Sequence, residues 1–159
     1  RDPLGKLPIG STNAWAFYAG TQTFTGMRRA TLNSSENVSV YDQLGGIDWF
    51  SQLCDGFYSR VANDEVLRPM YPEDLQPSSH WLALFLAQYW GGPGDYSSQR
   101  GHPRLRMRHM HFRLGSEERN RWYEHMAASL VSMEIEPALE QQMLDYFSMA
   151  ASHLVNTPD

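Results

Sequence analysis

Apolar positions recur at three- and four-residue steps in four separate stretches of the chain, and each stretch predicts a helix. In the first, Ile47, Phe50, Leu53, Cys54, Phe57, Tyr58 and Val61 keep step, with Asp48 as the expected cap and Asn63 and Asp64 punctuating the end. In the second, Leu82, Phe85, Leu86 and Tyr89 form the inner face behind a cap at Ser78 or Ser79. The third stripe is Trp122, Met126, Ala127, Leu130 and Val131, after a stop and start at Gly115 and Ser116. Glu117 and Glu118 are well placed in its first turn. The fourth is Leu139, Met143, Tyr146, Phe147, Ala150 and Leu154, with Pro137 in the first turn. No run reads as a strand.

The residues between the stripes set the arrangement. Asp42 is expected to cap a turn that Gly45 and Gly46 break. Pro69, Pro72 and Pro77 make 66–77 a constrained, mostly non-helical connection. Gly91-Gly92-Pro93-Gly94 ends the second helix, and a loop through Asp95, Tyr96 and Ser97 follows. The fold class expected is all-α, two antiparallel helix pairs stacked across each other, with the interruption leaving a slot near His109. Residues 1–40 carry only Asp2 and Glu36 as acids and show no sustained period. They are read as a flexible N-terminal extension or leader, and 41–159 as the folded domain.

Composition removes some functions. The net charge of −5 argues against nucleic acid as a partner. No apolar run approaches the ~20 residues that span a bilayer, so no membrane role is expected and the chain reads as cytoplasmic. The single cysteine, Cys54, excludes an internal disulfide and reads as an inert core thiol.

Against this acidic background, the stretch from Gly101 to Phe112 holds three of the six histidines, alternating arginines and no acid. If Pro103 opens a helical turn, Leu105, His109 and Phe112 share one face, and Arg104, Arg108 and His111 another. If the stretch is extended, His109 alternates in step with Leu105 and Met107. Either way one imidazole points with apolar neighbours while guanidinium groups flank it. That suits a flat apolar cofactor with a central metal and anionic groups on its rim, and haem has this form. The alternative is a satisfied histidine beside a solvated basic loop. Another reading drops haem and makes His102, His109 and His111 a structural metal site in a helical interaction module, although cysteine and acidic ligands are missing there.

Longer motifs carry a resemblance. Tyr-Asp-x-x-Gly-Gly at 41–46, Phe57-Tyr58, and the run from Val66 to Glu73 resemble the start of a group II truncated haemoglobin. Gln88-Tyr89-Trp90-Gly91-Gly92-Pro93, the run from Gln99 to His109, Trp122 and the closing Met149-to-Asn156 segment extend the match over about residues 40–158. The likeness is to the bacterial oxygen-binding members. It implies a two-over-two helical sandwich around haem b, with His109 as the proximal iron ligand. Tyr58, Tyr71 and Trp122 match the distal polar residues, and Ser78 and Leu82 the positions lining the pocket entrance. His80 is out of phase with Leu82 and is not read as a distal ligand.

Residue chemistry fits these roles. Tyr58 and Tyr71 carry phenolic O–H donors and Trp122 an indole donor, although each alone could be a core aromatic with a satisfied polar tip. Arg108, Arg106 and Tyr96 are candidates for the haem propionates, and Leu82, Phe85 and Met107 for its apolar surroundings. Met107 and Met110 are read as adaptable packing against the cofactor, not as ligands. The expected function is reversible binding of oxygen, carbon monoxide and nitric oxide. Two redox readings of the same haem stand beside it. Nitric oxide dioxygenation needs an unidentified reductase, and the sequence encodes no flavin or nicotinamide domain. Peroxidase-like chemistry lacks a matched distal histidine base. A homo-oligomer is compatible with either.

Overall fold

The computed structural model describes residues 38–102 and 109–159. The expectations placed on 1–37 and on Arg104, Leu105, Arg106, Met107 and Arg108 lie outside the described residues. All regular structure among the described residues is helical. The order is α1 (Val40–Leu44), α2 (Ile47–Val61), a 3-10 turn (Arg68–Met70), α3 (Gln76–Tyr89), α4 (Asp95–Arg100), α5 (Ser116–Val131) and α6 (Pro137–His153). The four long helices are those the apolar stripes predict.

Their ends differ from expectation. Gly46, not Asp48, is the N-cap of α2, because its backbone at φ 80° and ψ −157° is open to glycine and strained for other residues. Asp48 instead sits in the first turn. Ser39 caps α1 by accepting the Asp42 N–H, which makes Asp42 the capped residue and not the cap. Helix α3 begins at Gln76 with Pro77 in its first turn, so Ser78 and Ser79 lie within the helix and cap nothing. Both are buried, and Ser79 Oγ donates to Asp55 Oδ1 at 2.6 Å, tying α3 to α2. Asp95–Arg100, expected as a loop, closes one short helix against α3. In α5, Val131 is 52% exposed, and its place on the stripe is taken by Ser129, whose Oγ donates to the Leu53 carbonyl at 2.7 Å.

Helix α2 packs on both α3 and α5, and α5 packs on α6, so two helix pairs meet through α2 and α5. Phe50, Leu53, Phe57 and Val61 of α2 are fully buried at that junction, as are Met126 and Leu130 of α5 and Met143 of α6. Small residues set the closest approach: a Cβ on Gly56 would lie 2.5 Å from Ser129 Oγ. A second tight contact holds α1, whose Tyr41 N–H donates to the Trp90 carbonyl at 3.0 Å. There a Cβ on Gly92 would meet the Tyr41 ring at 2.6 Å and the Ala87 carbonyl at 2.8 Å. Among the described residues no helix is long and apolar enough to cross a membrane.

Candidate functional site

Helix α2 presents Tyr58 on its buried stripe, next to Phe57. Tyr71 follows the 3-10 turn in extended conformation, and its course is held by Arg68, whose guanidinium donates to the Tyr71, Pro72 and Glu73 carbonyls at 3.3, 2.9 and 2.8 Å. Trp122 comes from α5. The structure brings the three together, with Phe57 as the shared ring. Phe57 lies 4.9 Å from Tyr58 and 5.3 Å from Trp122 between centroids, and Tyr58 meets Tyr71 edge-on at 5.6 Å. Edge-to-face contacts of this kind fix ring orientation as well as position.

The polar tips of the tyrosines are the chemical feature. Tyr58 Oη and Tyr71 Oη are buried and reach no hydrogen-bond partner among the described residues. Each such group costs about 1–3 kcal/mol if nothing meets it. Burial pushes the Tyr58 hydroxyl well up, with Tyr71 and Cys54 adding to the effect. Burial also pushes Tyr71 well up; the Trp122 indole works against this and the Asp64 carboxylate adds to it. Both phenols are therefore neutral O–H donors at any physiological pH. Two buried donors on adjoining rings, with an indole that can only donate on the same ring cluster, suit an acceptor ligand that gathers negative charge.

His109 comes from a different segment, ahead of α5. It is 3% exposed, whereas His102 and His111 lie on the surface. The C-terminal tail secures its backbone: Asn156 Nδ2 donates to the carbonyls of His109 and Phe112 at 3.3 and 2.9 Å, and its Oδ1 accepts the Leu114 N–H at 3.0 Å. The backbone N–H groups of Asn156 and Thr157 both donate to the Leu114 carbonyl. The imidazole is thus buried on a segment whose backbone is fixed by the C-terminal tail. The three-histidine metal reading is not supported. Among the described residues no three His, Cys, Asp or Glu side chains gather to hold an ion.

The remaining candidates divide. Leu82, Phe85 and Ser78 are buried on α3. Tyr96 is fully buried, with its ring edge-on to Phe85 at 5.3 Å and Trp81 at 6.2 Å, so it is packed between α3 and α4. Met110, read as packing against a cofactor, is 72% exposed; one step past His109 along the chain turns it away from the buried side. His80 is exposed, as its phase requires. Cys54 is buried, and burial first, then Asp55, pushes its thiol well up, in keeping with an inert core thiol.

Sequence reasoning missed two features. Arg100 stacks on the Trp81 ring at 4.1 Å. Asp64, read only as helix punctuation, has a side chain just 3% exposed and gathers partners from two segments. It accepts the N–H groups of Val66 and Leu67 at 2.8 and 3.0 Å, and His125 Nε2 lies 2.6 Å away. Arg121 approaches to 3.5 Å. Burial alone would raise this carboxyl, but the Leu67 N–H, His125, the Val66 N–H and Arg121 outweigh it and hold it at about 2. The one available signal was the spacing of Arg121 and His125 on one face of α5.

Comparison with known proteins identifies the family and the fold. Residues 39–156 match the model of the bacterial-like globin family. The group 2 truncated hemoglobin YjbI of Bacillus subtilis is 35% identical over 111 residues, covering 70% of this chain and 84% of that protein. Two-on-two hemoglobin-3 of Arabidopsis thaliana is 30% identical, over 82% of this chain and 77% of its own. Among solved structures, a thermostable hemoglobin from the actinobacterium Thermobifida fusca superposes with a TM-score of 0.74 at 50% identity, over 77% of this chain and all of the other. The group II truncated hemoglobin of Bacillus anthracis does so with a TM-score of 0.73 at 30% identity, over 77% and 99%. The chain therefore belongs to the bacterial-like globins, and within them to the group II truncated haemoglobins, a family of haem-based binders of oxygen and related gases.

Proposed function

We propose that this chain binds oxygen and other diatomic gases reversibly at a b-type haem held by His109, with Tyr58, Tyr71 and Trp122 donating hydrogen bonds to the gas. The observation that carries the reading is the pair of buried hydroxyls, Tyr58 Oη and Tyr71 Oη, that reach no partner among the described residues. A core that needed only volume would use phenylalanine there and avoid the cost of two unmet donors. Haem held by His109 would supply an iron that binds the gas.

The protein's own groups do the rest. His109 offers a buried imidazole nitrogen from a segment that Asn156 holds in place. Tyr58 and Tyr71 stay protonated and donate, and Trp122 adds an indole N–H. Each donor that reaches a charged or polarised acceptor in a water-poor pocket contributes ~1–2 kcal/mol and slows ligand loss. In this reading Arg106, Arg108 and Tyr96 take the anionic rim, Leu82, Phe85 and Met107 meet the apolar faces, and Ser78 with Leu82 flanks the entrance. In this reading the residues ahead of Ser39, the cap of α1, stand outside the gas-binding domain.

The test is an absorption spectrum of the purified protein after addition of haem, recorded oxidised, reduced, and reduced under carbon monoxide. A Soret band that moves at each step is expected from the wild-type chain. His109→Ala should lose stable haem on gel filtration. A His109→Ala protein that kept the wild-type spectrum would remove His109 from the reading.

A further inference from the structure

Asp64 joins the segments that carry Tyr58, Tyr71 and Trp122. It follows the end of α2, six residues beyond Tyr58, and its N–H donates to the Val61 carbonyl at 3.0 Å. Its side chain accepts the Val66 and Leu67 N–H groups, and its carbonyl accepts the Arg68 N–H at 2.9 Å, which fixes the 3-10 turn that leads directly into Tyr71. The same carboxylate faces His125 and Arg121 on α5, the residues that bracket Trp122. Because Asp64 is ionised, the 2.6 Å contact makes His125 Nε2 the donor. Among the described residues Asp64 is the only acidic side chain in the core. A buried carboxylate costs more than an apolar residue of the same size unless its geometry does something else for the protein.

We propose that Asp64, acting through His125, is the positioning residue of the Tyr58–Tyr71–Trp122 wall, setting where the Trp122 indole stands relative to the Tyr71 hydroxyl. The inference rests on the gas-binding reading above. The turn bonds hold Tyr71 to the end of α2, and the His125 bond holds the rotation of α5 about its own axis at Trp122. Without the second link, α5 keeps its apolar packing and the Arg119 bonds to Ser148 and Ser152 on α6, but its polar tie to the segment that carries Tyr71 is reduced to the 3.5 Å Arg121 contact. The donors remain present and lose their common aim. A hydrogen bond weakens steeply with distance and angle, so a small rotation is enough to be read in the off-rate.

The experiment compares His125→Leu, Asp64→Asn, Trp122→Phe and a control, Glu136→Ala. Glu136 caps α6 by accepting the Ala138 and Leu139 N–H groups, so its loss lowers stability far from the wall. His125→Leu keeps the Asp64 turn bonds and so reports even if Asp64→Asn folds poorly. Two readouts are taken on the haem-loaded protein: oxygen dissociation by stopped flow, and the Trp122 indole N–H resonance of the reduced protein under carbon monoxide, assigned by its absence in Trp122→Phe. His125→Leu and Asp64→Asn should each speed dissociation about fivefold, less than Trp122→Phe, and move the indole resonance. Glu136→Ala should lower Tm and change neither. If His125→Leu costs stability but leaves the indole resonance and the off-rate at wild-type values, the positioning role is overturned and Asp64 is a structural clamp. If Trp122→Phe itself leaves the off-rate unchanged, the distal donor reading fails, and the indole resonance of His125→Leu still decides the positioning claim.

Discussion

The Tyr58–Tyr71–Trp122 wall and the His109 segment are held by different physics. The wall is built from edge-to-face rings and one buried charge: Phe57 joins Tyr58 to Trp122, and Asp64 ties both flanking segments together. The His109 segment is held by neutral bonds from a single amide, Asn156, and by two backbone bonds to Leu114. A charge-held wall responds to acid and to its charged neighbours. The Asn156 bonds do not. The two faces of the site are therefore separable by solution conditions, which gives a way to test each alone.

The largest effect is expected on the His109 side. Asn156→Ala removes four side-chain bonds and leaves the N–H of fully buried Leu114 without its acceptor, a loss of about 2 kcal/mol. Urea unfolding measures it, and the loss should be the same at pH 7 and in dilute acid because no ionisable group takes part. A cost that shrank in acid would break the contrast between the two sides.

Acid should act on the wall next. The Asp64 carboxyl titrates at about 2 in the folded chain against an ordinary 3.8. A depressed folded value means that its contribution is fully present above about 4 and is lost as pH falls through about 2. Thermal melts of wild type should therefore converge with those of Asp64→Asn over that window and stay apart above it. A constant gap would assign the stabilisation to something other than the charge.

The smallest effect belongs to Arg121→Gln. Its side chain is 41% exposed and also paired with Glu117, so solvent screens what it gives to Asp64. Its melt should lie close to wild type, and molar salt should erase the remaining difference. A large drop would mean that Arg121, not His125, is the main partner of the buried carboxylate.

Much of this was legible from residue order alone, and what was missed has a common cause. Helix α2 runs from Ile47 to Val61, as its stripe requires, because seven apolar residues keep helical phase. The caps were misread at Asp48 and Ser78 because polarity alone does not distinguish a cap from a first-turn residue. Backbone conformation at Gly46 and proline at position 77 decided those ends. Helix α4 escaped notice because six residues after a glycine-proline break are too few to show a period. Tyr58, Tyr71 and Trp122 were found through motif likeness, not pattern, since nothing local says that they meet. The Asp64–His125 link joins positions 61 apart, and a lone aspartate at a helix end has many blander uses.

The contact between Gly56 and Ser129 has a consequence for anyone who wishes to redesign this protein. Glycine on one helix and a pinned serine on the other bring α2 and α5 to their limit of approach, one residue from Phe57 and two from Tyr58. Changes of tip chemistry, such as phenylalanine for tyrosine, leave this crossing untouched and are safe edits. Resizing residues at the crossing moves the axle on which Tyr58 and Trp122 are mounted. Ligand preference in this scaffold is therefore best tuned by exchanging polar tips, with the spacing of the helices treated as a fixed dimension.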